Sequence, residues 1–335
     1  MTGVRKPSVQ ARTVHVSVPA TTANLGPGFD CLGLALELRN EVTLVSKLDM
    51  MPYDAPIETI VELEVNGLDA EKVPQNRRNL LLTAADKVFL QVGRRPAELR
   101  VKMTIHIPIG SGLGSSSSAI IAGMLGANAL VDGGLTEEEL LSMAVEMEGH
   151  PDNIAPALLG GLVLGILPDS KFGPPSLLIR KLSPPDLFAI IVLPDFFLPT
   201  EEARAVLPEQ VSRNDAIFNT SRLGLLLHSL LMNDYRQLAI AMADKLHQPY
   251  RLTLIPGADR AYSAAYDAGA MGVALSGAGP SLIAFATMNP EPIAEAMMVA
   301  FGSAGLGCRH WILQPAEVGA ICTTSPGNSV QSLIT

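Results

Sequence analysis

Between Arg100 and Leu130 the chain passes from the alternation of a strand to the apolar run of a helix through a loop with glycine at every second position. That loop reads Ile107-Pro108-Ile109-Gly110-Ser111-Gly112-Leu113-Gly114-Ser115-Ser116-Ser117-Ser118. Upstream, Val101, Met103, Ile105 and Ile107 share one side of a two-residue period, which predicts a half-buried strand. Downstream, Ala119–Leu130 is small, apolar and free of proline, which predicts a buried helix. Glycines placed there leave bare backbone that can take φ > 0 and approach a ligand closely. The serines offer caps and hydroxyls where a helix's first N–H groups carry partial positive charge. Such a junction binds phosphate. A flexible Gly/Ser linker has similar composition but is not flanked by a strand and a buried helix.

Two common phosphate loops fail on residues. A P-loop needs a lysine followed by Ser or Thr at the helix start; here Ser115 follows Gly114, and the nearest lysine, Lys102, lies upstream in the strand. The dinucleotide fingerprint needs G-x-G-x-x-G and an acidic residue about twenty positions on, at the end of a second strand. This loop is G-x-G-x-G, and its helix leads to Asp132-Gly133-Gly134 and another helix.

The run Pro108–Ser116, read as P-x-G-x-G-L-G-S-S, resembles the phosphate loop of the GHMP kinase superfamily. The resemblance implies that Pro108, Ile109, Gly110, Ser111, Gly112, Leu113, Gly114, Ser115, Ser116, Ser117 and Ser118 surround the ATP phosphates. The bulk properties agree. A chain of 335 residues exceeds an average single core, so two domains are expected. With 48% hydrophobic and 17% charged residues it should be well cored, and a formal net charge of −9 argues against nucleic acid or an anionic membrane as partner. Cys31, Cys308 and Cys322 fit neither a disulfide framework nor zinc spacing. Residues 1–13 hold Arg5, Lys6 and Arg12 without an apolar run, and no segment has the roughly 20 apolar residues of a membrane span. A cytoplasmic protein is expected.

A strand over Val14–Val18 is predicted to stop at Pro19, before a polar loop Ala20–Asp30. Asn24 and Asp30 can grip a polar small molecule there, although Asn and Asp also serve as turn residues. The stretch Pro19-Ala20-Thr21-Thr22-Ala23-Asn24-Leu25-Gly26-Pro27-Gly28-Phe29-Asp30 resembles the N-terminal motif of homoserine kinases, which implies that Asn24 and Asp30 contact the substrate amino acid. Mevalonate kinases carry an early lysine in this loop that assists proton removal. None is present here, which leaves the route of the substrate proton open. Further strands are expected at Glu41–Val45 and Thr59–Val65, and a helix over Leu80–Val92 capped by Asn79. The resemblance implies that Asn79 lies near the adenine.

Thr136 and Glu139 form a capping box for a helix whose apolar face is Leu140, Leu141, Ala144 and Met147. It ends at Glu146-Met147-Glu148-Gly149-His150-Pro151-Asp152-Asn153, where Gly and Pro break it. This segment, with Ala155-Pro156-Ala157 and Gly160-Gly161 behind it, again resembles homoserine kinases. It implies Mg²⁺ on Glu148 and the Ser116 hydroxyl, with Glu146 as the alternative carboxylate, and His150 and Asp152 facing the substrate. Hard oxygen ligands suit that ion. Some superfamily members place a base at Asp152; a carboxylate with a normal pKa of about 4 is a poor base for an alcohol, so positioning is its preferred role.

A buried strand is predicted at Gly161–Leu167, and Pro168–Pro175 has linker composition. The expected division is therefore residues 1–172 and 173–335. Beyond it, Leu187–Leu193 reads as a strand, 215–232 and 235–243 as helices, Pro290–Ala304 as a final helix and Cys308–Leu313 as a final strand, with little order from Glu317 on. Thr200 and Arg204, four apart, share a helix face in a segment ending T-x-x-A-R that resembles the homoserine kinase substrate segment. Gln248-Pro249-Tyr250-Arg251 is a second such segment. Both arginines are implied to hold a carboxylate, which an arginine fork binds in bidentate fashion. Leu275-Ser276-Gly277-Ala278-Gly279-Pro280-Ser281 matches the third GHMP motif, which brings Gly277 near the reacting groups.

The resemblance spans Val14–Leu313 and implies an α+β fold, with an N-terminal ribosomal protein S5 domain 2-like unit and a C-terminal ferredoxin-like unit. It implies a kinase that moves the ATP γ-phosphoryl group to the hydroxyl of L-homoserine, giving O-phospho-L-homoserine in threonine biosynthesis, and a homodimer. The alternatives are another GHMP kinase, such as a mevalonate kinase, and a catalytically silent metabolite sensor. Intact Ser116, Glu148 and Asp152 weigh against the sensor.

Overall fold

A computed structural model describes residues 11–47 and 49–327. Residues 1–10, with Arg5 and Lys6, and residues 328–335 lie outside the described residues. The first sheet starts from a long hairpin, β1 (Ala11–Asn24) and β2 (Gly28–Lys47). A short strand β3 (Met50–Pro52) and then β4 (Ile60–Gly67) follow, before α1 (Leu80–Val92). Next come β5 (Arg94–Pro96), which pairs β3, and β6 (Glu98–Ile105), which runs parallel to β4 and antiparallel to β2. Three helices, α2 (Ser115–Leu130), α3 (Glu137–Glu148) and α4 (Pro151–Leu159), lead to β7 (Leu162–Ile166) and β8 (Leu178–Leu182).

The strand does not stop at Pro19. It runs on to Asn24, and the missing N–H is absorbed by a register shift between Pro19 and Ala20. At that shift β2 changes partners: Glu41–Val45 pair with β6, while Leu32–Leu34 pair with β7. Asn40, buried at the change, takes up the loose ends. Its Oδ1 accepts the backbone N–H of His106 (2.8 Å) and Ile107 (3.0 Å), and its Nδ2 donates to Ser118 Oγ (3.2 Å).

The chain then forms β9 (Phe188–Pro194), α5 (Thr200–Ala205), α6 (Arg213–Met232), α7 (Leu238–Ala241), α8 (Gln248–Arg251), α9 (Ala258–Asp267), β10 (Gly272–Leu275), β11 (Leu282–Ala286), α10 (Pro290–Gly302) and β12 (Cys308–Leu313). The antiparallel order β10-β11-β9-β12, with helices after the first and third strands, is the expected ferredoxin-like arrangement. The unbroken apolar run of β9 has a direct cause, since both faces are covered. Ile190 and Val192 pack on α9 and α10, whereas Ala189 and Ile191 join Leu32, Leu34, Leu36, Ile107 and Leu113 of the first unit in one continuous core.

Order does not fade at Glu317. β13 (Ile321–Gly327) returns to the first sheet and pairs antiparallel with β1 over Ala11–Ser17. Its residues through Ser325 are mostly exposed, so as an edge strand it carries little apolar alternation to announce it. The division at residue 172 falls between β7 and β8, which are partners in one sheet. We therefore place the boundary after Leu182, with β13 returned to the N-terminal unit. Among the described residues no helix is long and apolar enough to cross a membrane.

The α2 helix begins at Ser115, with Gly114 at its N-cap and no side-chain cap, so the serines form its first turn rather than capping it. It approaches α1 so closely that a Cβ on Gly123 would run into the Leu81 carbonyl oxygen. Gly→Ala inside a helix ordinarily gains about 1 kcal/mol. Here the obstacle is backbone, which cannot swing aside, so Gly123→Ala should instead cost roughly 1–3 kcal/mol. Urea unfolding should show a lower midpoint at an unchanged slope.

Candidate active site

Three segments far apart in sequence lock together at the junction of the two units. Thr21 N–H donates to the Leu113 carbonyl (3.1 Å), Gly277 N–H to the Ala23 carbonyl (3.2 Å), and Ser281 N–H to the Ser111 carbonyl (3.3 Å). The Ser276 hydroxyl donates to the Gly112 carbonyl (2.7 Å) and lies 2.9 Å from Thr22 Oγ1. Gly112 and Gly114 have φ of 79° and 68°, and a Cβ on them would meet the Ser276 carbonyl and Thr21 Oγ1 respectively. Both glycines are therefore required twice, for conformation and for space. The junction surrounds a cavity of about 350 Å³.

Ile109, Gly110, Ser111, Gly112, Gly114, Ser115 and Ser116 line this cavity. Pro108, Leu113, Ser117 and Ser118 of the same stretch are buried behind it. The Ile109 N–H is already used, donating to Asp69 Oδ2 (3.2 Å). Ser116 Oγ donates to Glu148 Oε1 (2.8 Å), and Ser117 Oγ reaches the same oxygen (3.2 Å). Two hard oxygen donors from different helices thus meet at the cavity wall, which fits a site for Mg²⁺. Glu146 is exposed and is not part of the wall.

Gly149, with φ of 91°, ends α3, and Pro151 starts α4 one residue after His150. The corner presents Glu148, His150 and Asp152 within five residues. Asp152 is 2% exposed and accepts from His150 Nδ1 at 2.6 Å. Burial pulls the His150 pKa down, but Asp152, with Asp30 and Glu148 beyond it, outweighs burial and leaves it raised above 6.5. Ligand atoms of Asp30, His150 and Asp152 lie within 4.8 Å of one another, which brings two carboxylates together at a place suited to an ammonium group.

Asn24 and Asp30 both have left-handed backbone, which Asn and Asp tolerate. The amide of Asn24 is spent on the protein: Oδ1 accepts from Asp30 N–H (3.0 Å) and Nδ2 donates to the Gly277 carbonyl (2.9 Å). Asp30 forms a bidentate pair with Arg204 (2.9 and 3.0 Å), and this raises the Arg204 pKa. Arg251 differs. It is 1% exposed, donates Nε–H to the Ala203 carbonyl (2.8 Å), and has no carboxylate partner among the described residues. Burial, then the like charge of Arg204, lowers its pKa to about 10. The Phe29 ring lies 5.8 Å from Arg204 and 5.1 Å from Arg251, and His247 stacks on it at 5.0 Å. Thr200 at the start of α5, Leu198 and Gly277 complete this end.

The opposite end is lined by Lys72, Val73, Pro74, Asn79, Leu80, Met103 and Ile105. Asn79 is there, but its Oδ1 caps α1 through Leu81 N–H (3.0 Å) and its Nδ2 donates to the Pro74 carbonyl (3.0 Å). Both ends of its amide are thus spent on the protein. Sequence reasoning missed Asn40, Asp69, Lys72 and Asp244. The last is buried and accepts the backbone N–H groups of Leu246 (2.9 Å), His247 (3.0 Å) and Gln248 (2.7 Å), and so fixes the start of the helix bearing Arg251. An Asp just before a short helix was the available signal.

Two family models match the chain, GHMP kinases N terminal domain over residues 79–161 and GHMP kinases C terminal over residues 226–304. A homoserine kinase of Picosynechococcus sp. is 42% identical over 312 residues, covering 92% of this chain and 99% of the relative. One from Moorella thermoacetica is 41% identical, covering 91% and 98%. The crystal structure of homoserine kinase from Cytophaga hutchinsonii superposes with a TM-score of 0.79 at 30% identity, covering 96% of this chain and 100% of that one. L. major mevalonate kinase, at 16% identity and a TM-score of 0.64 over 89% of this chain and 95% of that one, shares the fold. With its phosphate loop, its interlocked motifs and full-length similarity in agreement, the chain belongs to the homoserine kinase family of GHMP kinases.

Proposed function

We propose that this chain transfers the γ-phosphoryl group of ATP to the side-chain hydroxyl of L-homoserine, giving O-phospho-L-homoserine, a step toward threonine. GHMP kinases use ATP, and the kinase reading follows from family membership. The observation that carries the choice of acceptor is Arg251, a buried guanidinium with no carboxylate partner among the described residues, beside the Asp30–Arg204 pair. A buried cation is costly unless paired. An α-amino acid supplies the pair, since its carboxylate suits Arg251 and Arg204 while its ammonium suits Asp30 and Asp152. The substrate can then exchange with the internal pair, so neither Asp30 nor Arg204 is left without a counter-charge. A hydroxy acid lacking nitrogen, such as mevalonate, cannot complete that exchange.

Phosphoryl transfer needs mainly positioning and charge neutralisation. The backbone around Gly110, Gly112 and Gly114 and the first turn of α2 provide N–H groups for the triphosphate. Ser116 and Glu148 are the residues that would hold Mg²⁺, whose charge offsets that of the phosphates. Asp152, already bonded to His150, holds the substrate amine and turns its hydroxyl toward the phosphate. No side chain is assigned the role of base.

ADP release with L-homoserine, L-serine, mevalonate and no acceptor tests the reaction; strong stimulation by mevalonate in place of homoserine would overturn it. Arg251→Ala should lower kcat/KM for homoserine by about 2–5 kcal/mol, and the half-exposed Arg204 should cost less when replaced by Ala. Both losses should appear in the KM for homoserine with little change in that for ATP. Ser116→Ala and Glu148→Gln should instead cut kcat by roughly 10²-fold and raise the Mg²⁺ concentration needed for half-maximal rate, with homoserine binding retained.

The raised His150 pKa sets a pH dependence. The imidazolium is favoured in the fold, so its stabilisation is complete below the unfolded value of about 6.5 and is lost as pH rises through the higher folded midpoint. An NMR titration should place that midpoint above 6.5, and Asp152→Asn should move it down.

A further inference from the structure

Asp69 belongs to none of the matched motifs, yet its carboxylate gathers donors from three separate parts of the molecule. It follows β4 with a left-handed φ of 56°, directly before the single helical turn Ala70–Lys72. Its side chain is only 9% exposed. The carboxylate accepts from Ile109 N–H (3.2 Å), Lys72 Nζ (3.0 Å) and both terminal nitrogens of Arg309 (3.4 Å each). Burial alone would raise its pKa, but Lys72, the Ile109 N–H and Arg309 together hold it below the usual carboxylate value.

Each donor has a place relative to the cavity. Ile109 immediately precedes Gly110, the first glycine of the phosphate loop. Lys72 lines the end away from the arginines, beside Val73, Pro74 and Leu80. Arg309 stands on β12, in the sheet of the other unit, close to the Trp311 ring. We propose that Asp69 is a positioning residue for the nucleotide: it fixes the start of the phosphate loop, aims Lys72 along the nucleotide end of the cavity, and ties both to the C-terminal sheet through Arg309. The inference rests on the reading that ATP occupies this cavity. Lys72 is thereby an additional contact for ATP, a cation whose direction is set by the carboxylate three residues before it.

The ion pairs are partly exposed and add little to stability on their own. What they change is where the loop and the lysine sit, and that separates the proposal from a merely structural role. ATP binding by isothermal titration calorimetry without acceptor, initial rates with both substrates, and thermal unfolding should be compared for wild type, Asp69→Ala, Asp69→Asn, Lys72→Ala and Arg309→Ala. Asp69→Ala should weaken ATP binding and raise the KM for ATP by about fivefold or more, with the KM for homoserine within about twofold. Asp69→Asn keeps an acceptor for Ile109 and should fall in between. Arg309→Ala, with no atom in the cavity wall, should still raise the KM for ATP while leaving that for homoserine unchanged.

Unchanged ATP affinity in Asp69→Ala, or equal losses for both substrates together with a lowered Tm, would overturn the proposal. Should Asp69→Ala fail to fold, Lys72→Ala and Arg309→Ala decide the matter, because both side chains are exposed enough to be removed without a cavity. Calorimetry needs no turnover, so the proposal can stand or fall separately from the choice of homoserine as acceptor.

Discussion

The site depends on a short set of hydrogen bonds between loops that lie up to 254 residues apart. The Ser276 hydroxyl in the Gly112 carbonyl, and the exchange of bonds between Asn24, Ala23 and Gly277, hold the phosphate loop against both units at once. These contacts are made largely by backbone, which has no rotamers to rearrange. The phosphate loop therefore has its shape before any ligand arrives, and binding need not supply the entropy of ordering it. The glycines at 112 and 114 are there because other loops already fill the space a side chain would take, the Ser276 carbonyl at one and the Thr21 hydroxyl at the other.

Charge is arranged on the same plan. Arg251 is held by carbonyl oxygens and a histidine rather than by an acid, and Asp244 spends its own charge capping the helix that carries it. The protein thus keeps a desolvated cation in reserve, at a low local dielectric where a carboxylate binds strongly. Arg204, paired with Asp30 and more exposed, is the softer partner. The two arginines differ in environment more than in chemistry, and Phe29 lies near both guanidiniums.

Much of this was legible in the chain. The change of period around Gly110–Gly114 located the loop and its helix, and the capping box at Thr136 and Glu139 marks the start of α3 as read. The ferredoxin-like order was implied by the family resemblance, and the strands read at 187–193 and 308–313 fall where that order needs them. What escaped has physical reasons. Proline at 19 is a breaker only where its N–H would be needed, and the register shift removes that need. The last strand is an exposed edge with few apolar residues, so composition could not reveal it. Asn40, Asp69 and Asp244 act by accepting backbone N–H groups from segments distant in sequence or newly turned, and no periodicity records such a bond. Asn24 was both things at once, a turn residue by conformation and a wall of the site by position.

The shared core has a mechanical consequence. The inner face of the second sheet, through Ala189 and Ile191, is buried against Leu32, Leu34 and Leu36 of the first unit, and the chain's last strand returns to the sheet where it began. The second unit is thus an insertion clasped at both ends, with an oily weld beneath it. Swinging the halves apart would tear that core open. Heat should therefore take both halves down in a single step.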